Sequence, residues 1–228
     1  PNIMKSIGSQ AFRECTNLTV VTMPEEINSI GKRAFSNCKK LTNVTIPRGV
    51  SIIEEETFKD CVNLPKIKIP EGVTSIQSRA FYNCDILIDM IIPTSVKSIG
   101  NEAFFECRNI RKLTVPNGVN TIGNKAFSDC ENIQQLVLPT SDTQYGTGVF
   151  NNTNFDINVS DQDWDKEIEL PNIIKNVLNR TNTLLTYDRY ELYNCTLNAD
   201  KTKLSIVNLE KYAEISFKGG ILGSSLGD

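Results

Sequence analysis

The cysteines are the first candidates for a chemical role, because a thiolate can attack an electrophile, hold a metal or form a disulfide. Six of the seven recur every 23 residues, and Cys195 stands outside the series. The six are Cys15, Cys38, Cys61, Cys84, Cys107 and Cys130. The chain has no His, which excludes Cys-His and Ser-His-Asp catalysis and imidazole ligands. No two cysteines have the C-x-x-C spacing of a zinc site. We therefore predict no catalytic residue, no metal and no cofactor.

A regular row of cysteines predicts side chains stacked on successive turns of one structure. Neighbouring turns lie about 4.8 Å apart, whereas a relaxed disulfide needs Cβ atoms ~3.8 Å apart. Stacked free thiols that pack as small hydrophobes are the prediction, and disulfides between consecutive turns are the alternative.

A carboxylate cluster beyond the cysteine series is the second candidate for chemistry. Asp161, Asp163 and Asp165 have the D-x-D-x-D opening of a calcium loop. Lys166 stands where that loop has its Gly, and Asn172 where it has a bidentate Glu. We interpret the cluster as a solvated acidic linker rather than a calcium site.

The cysteines belong to a longer repeat that must position them. Phe and Pro residues follow the same interval, at Phe12, Phe35, Phe58, Phe81, Phe104, Phe127 and Phe150, and at Pro1, Pro24, Pro47, Pro70, Pro93, Pro116 and Pro139. One unit reads PEEINSIGKRAFSNCKKLTNVTI, from Pro24 to Ile46. Such a period indicates a solenoid whose turns bury their apolar positions only by stacking.

Each unit contains two extended pieces and one turn. The alternation through Val44 and Ile46 predicts a short strand with Asn43 and Thr45 facing outward. Pro47 ends this strand, and a second extended piece follows at 50–53. Residues 33–38 have helical spacing, which predicts a 3₁₀ or single-turn helical segment.

The unit L-x-x-V-x-I-P-x-x-V-x-x-I-x-x-x-A-F-x-x-C resembles the leucine-rich repeat of the Treponema pallidum type, found in BspA-like surface antigens. The resemblance covers residues 1–160, about seven repeats of which the last is degenerate, with Thr153 at the Cys position and Asp156 in place of Leu. The Gly that follows the second Ile is replaced by Glu54 and Gln77 in two units. The resemblance implies an α/β repeat fold, namely a curved right-handed array with a parallel concave sheet and short 3₁₀ or helical turns. It also implies a non-enzymatic, cell-surface or secreted protein that binds host or matrix proteins.

The outward strand positions are free to carry function, because the inward ones are committed to packing. In the middle turns they combine cations and aliphatic residues around one Asp, which suits an acidic, partly apolar protein partner. Mixed charges that only keep the sheet soluble are the alternative. The predicted ligand contacts are Lys66, Lys68, Ile88, Asp89, Ile91, Arg111, Lys112, Gln135 and Val137.

Residues 161–228 lack the repeat, and we predict a small mixed C-terminal cap there. A segment between two repeat arrays is the alternative. The expected elements are a helix from Pro171, a hairpin within 196–207 and a last strand within 213–218.

Composition narrows the classes of function. The formal charge is −3, from 24 Lys and Arg against 27 Asp and Glu, so no basic excess points to nucleic acid. No apolar run is long enough to insert in a membrane, and no leader is evident. Six sequons matter only in a eukaryotic secretory setting, at Asn17, Asn43, Asn151, Asn158, Asn179 and Asn194. A surface adhesin-like module is the main hypothesis, a cytoplasmic or structural interaction scaffold is the second, and an enzyme is the third.

Overall fold

Two parallel rows of short strands form the solenoid. The computed structural model describes residues 4–139, 143–150 and 153, and beyond them the backbone of six strands. Most strands of each row pair with their equivalents one repeat away, so that Ser75 pairs with Ser98 and Lys112 with Gln135. The fold is therefore a parallel β-solenoid of about six turns, as the repeat predicts.

The strands of the solenoid are two or three residues long. In chain order they are β1 (Ser6–Ile7), β2 (Val20–Val21), β3 (Ser29–Ile30), β4 (Asn43–Val44), β5 (Ile52–Ile53), β6 (Ser75–Ile76), β7 (Asp89–Ile91), β8 (Ser98–Ile99), β9 (Lys112–Thr114), β10 (Thr121–Ile122), β11 (Gln135–Val137) and β12 (Gln144–Tyr145). We call the row of β2, β4, β7, β9 and β11 the first sheet. The row of β1, β3, β5, β6, β8, β10 and β12 is the second sheet, in which β3 and β5 are not paired.

The first sheet is interrupted at its third turn, between β4 and β7. At the equivalent position of other turns a backbone N–H donates to the preceding turn, as Thr42 does to the Thr19 carbonyl at 2.8 Å and Arg111 to the Ile88 carbonyl at 2.7 Å. Pro65 occupies this position in the third turn. Proline has no N–H to donate, so the ladder loses a hydrogen bond there.

The Ala-Phe segment is a turn, so the prediction of a 3₁₀ or helical segment is wrong. Arg33 and Asn37 have left-handed backbones, with φ of 57° and 61°, which a continuous helix cannot contain. Backbone N–H groups alternate in direction along this segment. Ala34 donates locally to the Gly31 carbonyl, whereas Phe35 donates to the Thr57 carbonyl of the next turn at 2.9 Å. Half of the donors that a helix would use are therefore spent on stacking the turns.

The core is a column of aromatic rings and aliphatic side chains. The seven Phe rings stack in sequence, with centroids 5.1 to 5.6 Å apart and nearly parallel planes. Six of them, from Phe35 to Phe150, are fully buried, and Phe12 at the first turn is 38% exposed. Each interior ring therefore touches an equivalent ring on both sides.

The backbone beyond the solenoid forms antiparallel strands. They are β13 (Phe155–Val159), β14 (Ile168–Glu169), β15 (Tyr190–Tyr193), β16 (Cys195–Leu197), β17 (Lys203–Ile206) and β18 (Ala213–Phe217). The pairing of β16 with β17 and the presence of β18 confirm the predicted hairpin and last strand. The predicted helix from Pro171 and the acidic cluster of 161–172 lie outside the described residues, apart from the backbone of β14. The division at residue 160 and the capping role stay predictions.

Candidate functional site

Eight of the nine predicted contact residues have exposed side chains on the first sheet or on the turns that lead into it. The aliphatic ones include Ile91 at 64% exposed and Val137 at 52%. The ninth, Gln135, lies on β11, and its side chain is outside the described residues. We call the nine positions the predicted binding face.

The charges of the predicted binding face are not neutralised within it. Asp89 and Lys112 are partners in the β7–β9 register, yet no ion pair within 4 Å joins them. Lys66, Lys68 and Arg111 likewise have no carboxylate within 4 Å among the residues that the structure describes. Within the described part of the chain, four cations and one carboxylate of this face thus have no ion-pair partner.

The turn side of the solenoid is different, because several of its cations are already paired. Lys32 contacts Glu55 at 3.2 Å, and Arg108 lies within 4 Å of three carboxylates, those of Asp85, Glu106 and Glu131. These contacts join groups on the same or on consecutive turns. They leave this side closer to electrostatic neutrality than the predicted binding face.

One row on the turn side alternates in sign from turn to turn. Arg33 Nε donates to Glu56 Oε2 at 2.8 Å, and Arg79 Nε donates to Glu102 Oε2 at 2.6 Å. Arg79 also lies 3.8 Å from Glu56. Burial alone would raise the pKa of Glu56, but the Arg33 hydrogen bond and the charges of Lys59, Arg33 and Arg79 outweigh burial, so its pKa is lowered. We call Arg33, Glu56, Arg79 and Glu102 the ion-pair row.

The six cysteines of the repeat are free thiols, as predicted. Five of them are buried, as expected, but Cys15 is exposed. The interpretation that they act only as small hydrophobes is incomplete. Each buried thiol donates a hydrogen bond to the carbonyl of the Phe 26 residues earlier, as Cys84 Sγ does to Phe58 at 3.2 Å. Thr153, at the seventh Cys position, keeps this bond through its hydroxyl, which donates to the Phe127 carbonyl at 2.9 Å. A small side chain that donates to a Phe carbonyl therefore occupies this position in six turns, and in the seventh unit it does so without sulfur.

Burial makes these thiols unreactive. It raises the pKa of Cys38 to about 11 and that of Cys107 to about 12, and it raises the pKa values of the other three buried thiols as well. A thiol that stays protonated at neutral pH is a poor nucleophile and a poor metal ligand. Among the described residues, no three His, Cys, Asp or Glu side chains are grouped so as to hold a metal.

A groove of about 540 Å³ lies along the second sheet. None of the nine predicted contact residues lines it. It runs across four turns, from Ser75 to Gly146, and its lining is uncharged except for Glu55. The outward residues of the second sheet repeat every 23 residues, so the sequence predicts that they form a row. The repeat does not predict that a groove lies along this row.

The stacked turns, the buried Phe column and the two parallel sheets define the chain as a leucine-rich-repeat solenoid. Residues 1–88 and 74–162 match the family model described as a BspA type leucine rich repeat region, in six copies. The chain belongs to this family.

Solved structures of two bacterial proteins have the same architecture. A leucine-rich-repeat protein of T. pallidum is 33% identical, with a TM-score of 0.63 over 65% of this chain and 69% of that one. A leucine-rich-repeat protein of Bacteroides ovatus is 29% identical, with a TM-score of 0.55 over 65% of this chain and 45% of that one. The chain thus spans about two thirds of the first protein and less than half of the second. A comparison with curated proteins gave no match.

Membership in this family gives the general class of function. Its leucine-rich repeats are protein-interaction modules, typically without enzymatic activity, and BspA-type proteins are often associated with the cell surface. Within the part of the chain that the structure describes, no helix has the length and apolar character needed to cross a membrane.

Proposed function

We propose that the solenoid is a surface-displayed, adhesin-like module that binds an acidic, partly apolar protein segment on the predicted binding face. The observation that carries the proposal is the cluster of four cations without an ion pair on this face, whereas several cations of the turn side are paired. An unpaired surface cation can gain a carboxylate partner without breaking an existing ion pair, so an acidic protein meets little competition here.

The aliphatic side chains of the same face favour a protein over a simple polyanion. Ile88 and Ile91 are exposed on the turn between the two pairs of cations. Turns lie about 4.8 Å apart, so the cations at Lys66 and Lys112 are separated by about 10 Å along the solenoid. A partner that places carboxylates on both sides of an apolar residue matches this arrangement. Asp89 disfavours a uniformly anionic ligand, because it repels any phosphate or sulfate laid across it.

A second candidate is an interaction scaffold inside the cell, and the free thiols favour it. Five buried cysteines without disulfides suit a reducing compartment, although their burial also protects them elsewhere. Protease treatment of intact source cells separates the candidates. An adhesin-like module is digested while cytoplasmic markers stay intact, whereas a scaffold is digested only after lysis.

Charge reversal tests the binding face. The variant with Lys66, Lys68 and Lys112 changed to Glu is compared with the wild type for binding to an immobilised array of peptides that combine Glu or Asp with Leu, Ile or Val. We expect binding to fall more than tenfold and its salt dependence to weaken, because the attraction that added salt screens is removed. The melting temperature should hardly change, since exposed charges contribute little to stability.

The matched control reverses three cations that lie off the first sheet. Lys5, Lys39 and Lys97 are exposed and take part in no ion pair among the described residues. This control has the same change in net charge. Equal loss of binding in both variants, or in neither, would show that the predicted binding face is not the site.

A further inference from the structure

Both sheets are interrupted at the interface between the second turn (24–46) and the third turn (47–69). In the first sheet β4 pairs only with β2, and in the second sheet β3 pairs only with β1. Between the third and fourth turns the second sheet is continuous, because β5 pairs with β6. From the first turn to the sixth, as far as the structure describes them, no other two neighbouring turns lack strand pairing in both sheets.

Backbone hydrogen bonds are missing at the same interface. In the second, fourth, fifth and sixth turns two N–H groups of the second sheet donate to the preceding turn, as Gln77 does to the Ile53 carbonyl at 2.8 Å. Ser51 and Glu54 hold the equivalent positions of the third turn, and neither donates to a backbone carbonyl of the described second turn. In the first sheet Pro65 has no N–H to donate. Three hydrogen bonds that join other turns are therefore absent here.

Two departures from the repeat coincide in the third turn and explain this loss. Most turns have Gly where Glu54 stands, and a Cβ on Gly100 would lie 2.4 Å from a backbone nitrogen of the preceding turn. The Cβ of Glu54 thus prevents so close an approach. Gln77 also carries a Cβ, but its turn has Ile88 at the proline position, and the Ile88 N–H donates to the Pro65 carbonyl at 3.1 Å. One departure is tolerated there, whereas both together separate the sheets.

The turn side remains joined across this interface. Three backbone N–H groups of the second turn donate to the third at 2.8 to 2.9 Å. Arg33 Nε donates to Glu56 Oε2 at 2.8 Å. The rings of Phe35 and Phe58 stack across the interface with centroids 5.6 Å apart, the widest spacing in the Phe column. The second and third turns are thus held along the turn side and the core, and not along either sheet.

We propose that this interface is a breakpoint, at which the first two turns separate from the rest of the solenoid and unfold as one unit. Partial unfolding of a native protein begins where its contacts are weakest. Two turns alone bury too little apolar surface to stay folded, so they unfold once they separate. The predicted binding face begins at Lys66 and lies wholly beyond the breakpoint. The first two turns can therefore unfold and refold without removing that face, and the inference does not depend on ligand binding.

Native-state hydrogen exchange of the full chain tests the breakpoint. Nitrogen-15 spectra in low concentrations of guanidinium follow single amides. The N–H groups of Asn28 and Gly31 donate to the first turn, and those of Asn120 and Gly123 make the equivalent hydrogen bonds to the fifth turn. We expect the first two amides to exchange through one common opening, about tenfold faster than the other two or more, because the first two turns unfold while the later turns stay folded.

A variant that restores the repeat at both departures tests the cause. Glu54→Gly with Pro65→Thr gives the third turn the residues that the second turn has at Gly31 and Thr42. We expect the exchange of Asn28 and Gly31 to slow about tenfold, because the second and third turns regain backbone hydrogen bonds. Fraying from the first turn would not respond to a change in the third turn, so this variant separates the two causes.

The matched control makes the same kinds of change where hydrogen bonds already exist. Gln77→Gly with Gln134→Thr alters two positions whose N–H groups already donate to the preceding turn at 2.8 Å, and it should leave the exchange of Asn28 and Gly31 unaltered. Three results would overturn the inference. One is that all four amides exchange through the same opening in the wild type. Another is that restoring the repeat leaves the rates unchanged, and the third is that the control slows them equally.

Discussion

Truncating Phe81 tests whether the solenoid is one cooperative stack. Its ring is fully buried, and its centroid lies 5.5 Å from that of Phe58 and 5.1 Å from that of Phe104. Phe81→Ala therefore removes a contact with both neighbouring turns and leaves a cavity between them. Such truncations cost about 3–5 kcal/mol. Because each turn is stabilised mainly by its neighbours, the loss should lower the stability of the whole array.

Phe12→Ala is the matched control, since it removes the same atoms from the end of the column. Phe12 is 38% exposed and stacks on one side only, with its centroid 5.3 Å from that of Phe35. We expect it to cost about 1–2 kcal/mol and to affect mainly the first turn. Guanidinium unfolding followed by far-ultraviolet circular dichroism gives both free energies of unfolding. If Phe81→Ala shifts the midpoint no further than Phe12→Ala does, the stacking argument is wrong.

Three other predictions concern the cysteine and ion-pair rows. In the native protein at pH 8 an alkylating reagent should label Cys15 quickly and leave the five buried thiols unmodified until denaturant is added, because burial raises their pKa. Mass spectrometry would contradict this if it found disulfides between consecutive cysteines. Cys84→Thr should be more stable than the isosteric Cys84→Val by about 1 kcal/mol in the same unfolding assay, because only Thr can donate to the Phe58 carbonyl. Equal stabilities would mean that the hydrogen bond is dispensable. Glu56→Gln should destabilise the protein at pH 7. The folded pKa of Glu56 is lowered, so its contribution is present above the unfolded value of about 4.3 and is lost as the pH falls through the folded pKa. A difference between wild type and variant that persists unchanged at pH 2 would refute this reasoning.

The features that the sequence could predict are those that repeat. Phe and Cys recur on successive turns at the positions of Phe81 and Cys84. The burial of these two residues therefore follows from the need of each turn to cover its neighbours. The outward orientation of Asn43 and Thr45 follows from strand alternation. The family resemblance and the solenoid are confirmed for the same reason.

The features that it could not predict depend on backbone conformation and pairing. The apolar residues around Phe35 have the spacing of a helix. Residues with a left-handed backbone conformation and hydrogen bonds to the next turn prevent a helix there. The spacing of residue types carries no information on φ, so the sequence could not show this. The hydrogen bond from each buried thiol to a Phe carbonyl depends on the overlap of turns in three dimensions. The groove on the second sheet depends on the shape of the whole array. Ligand binding at the first sheet stays a prediction.

The ion-pair row makes consecutive turns electrostatically unequal. Because the repeats are so alike in their apolar positions, stacking of a turn on the wrong neighbour is a characteristic error in the folding of such a chain. A slip by one turn would bring Arg33 beside Arg79 and Glu56 beside Glu102, exchanging attraction for like-charge repulsion. Only the correct order, or a slip by two turns, keeps opposite charges adjacent. The column of Phe rings is the same on every turn and does not distinguish one neighbour from another. The ion-pair row does distinguish them, so like-charge repulsion disfavours stacking that is wrong by one turn.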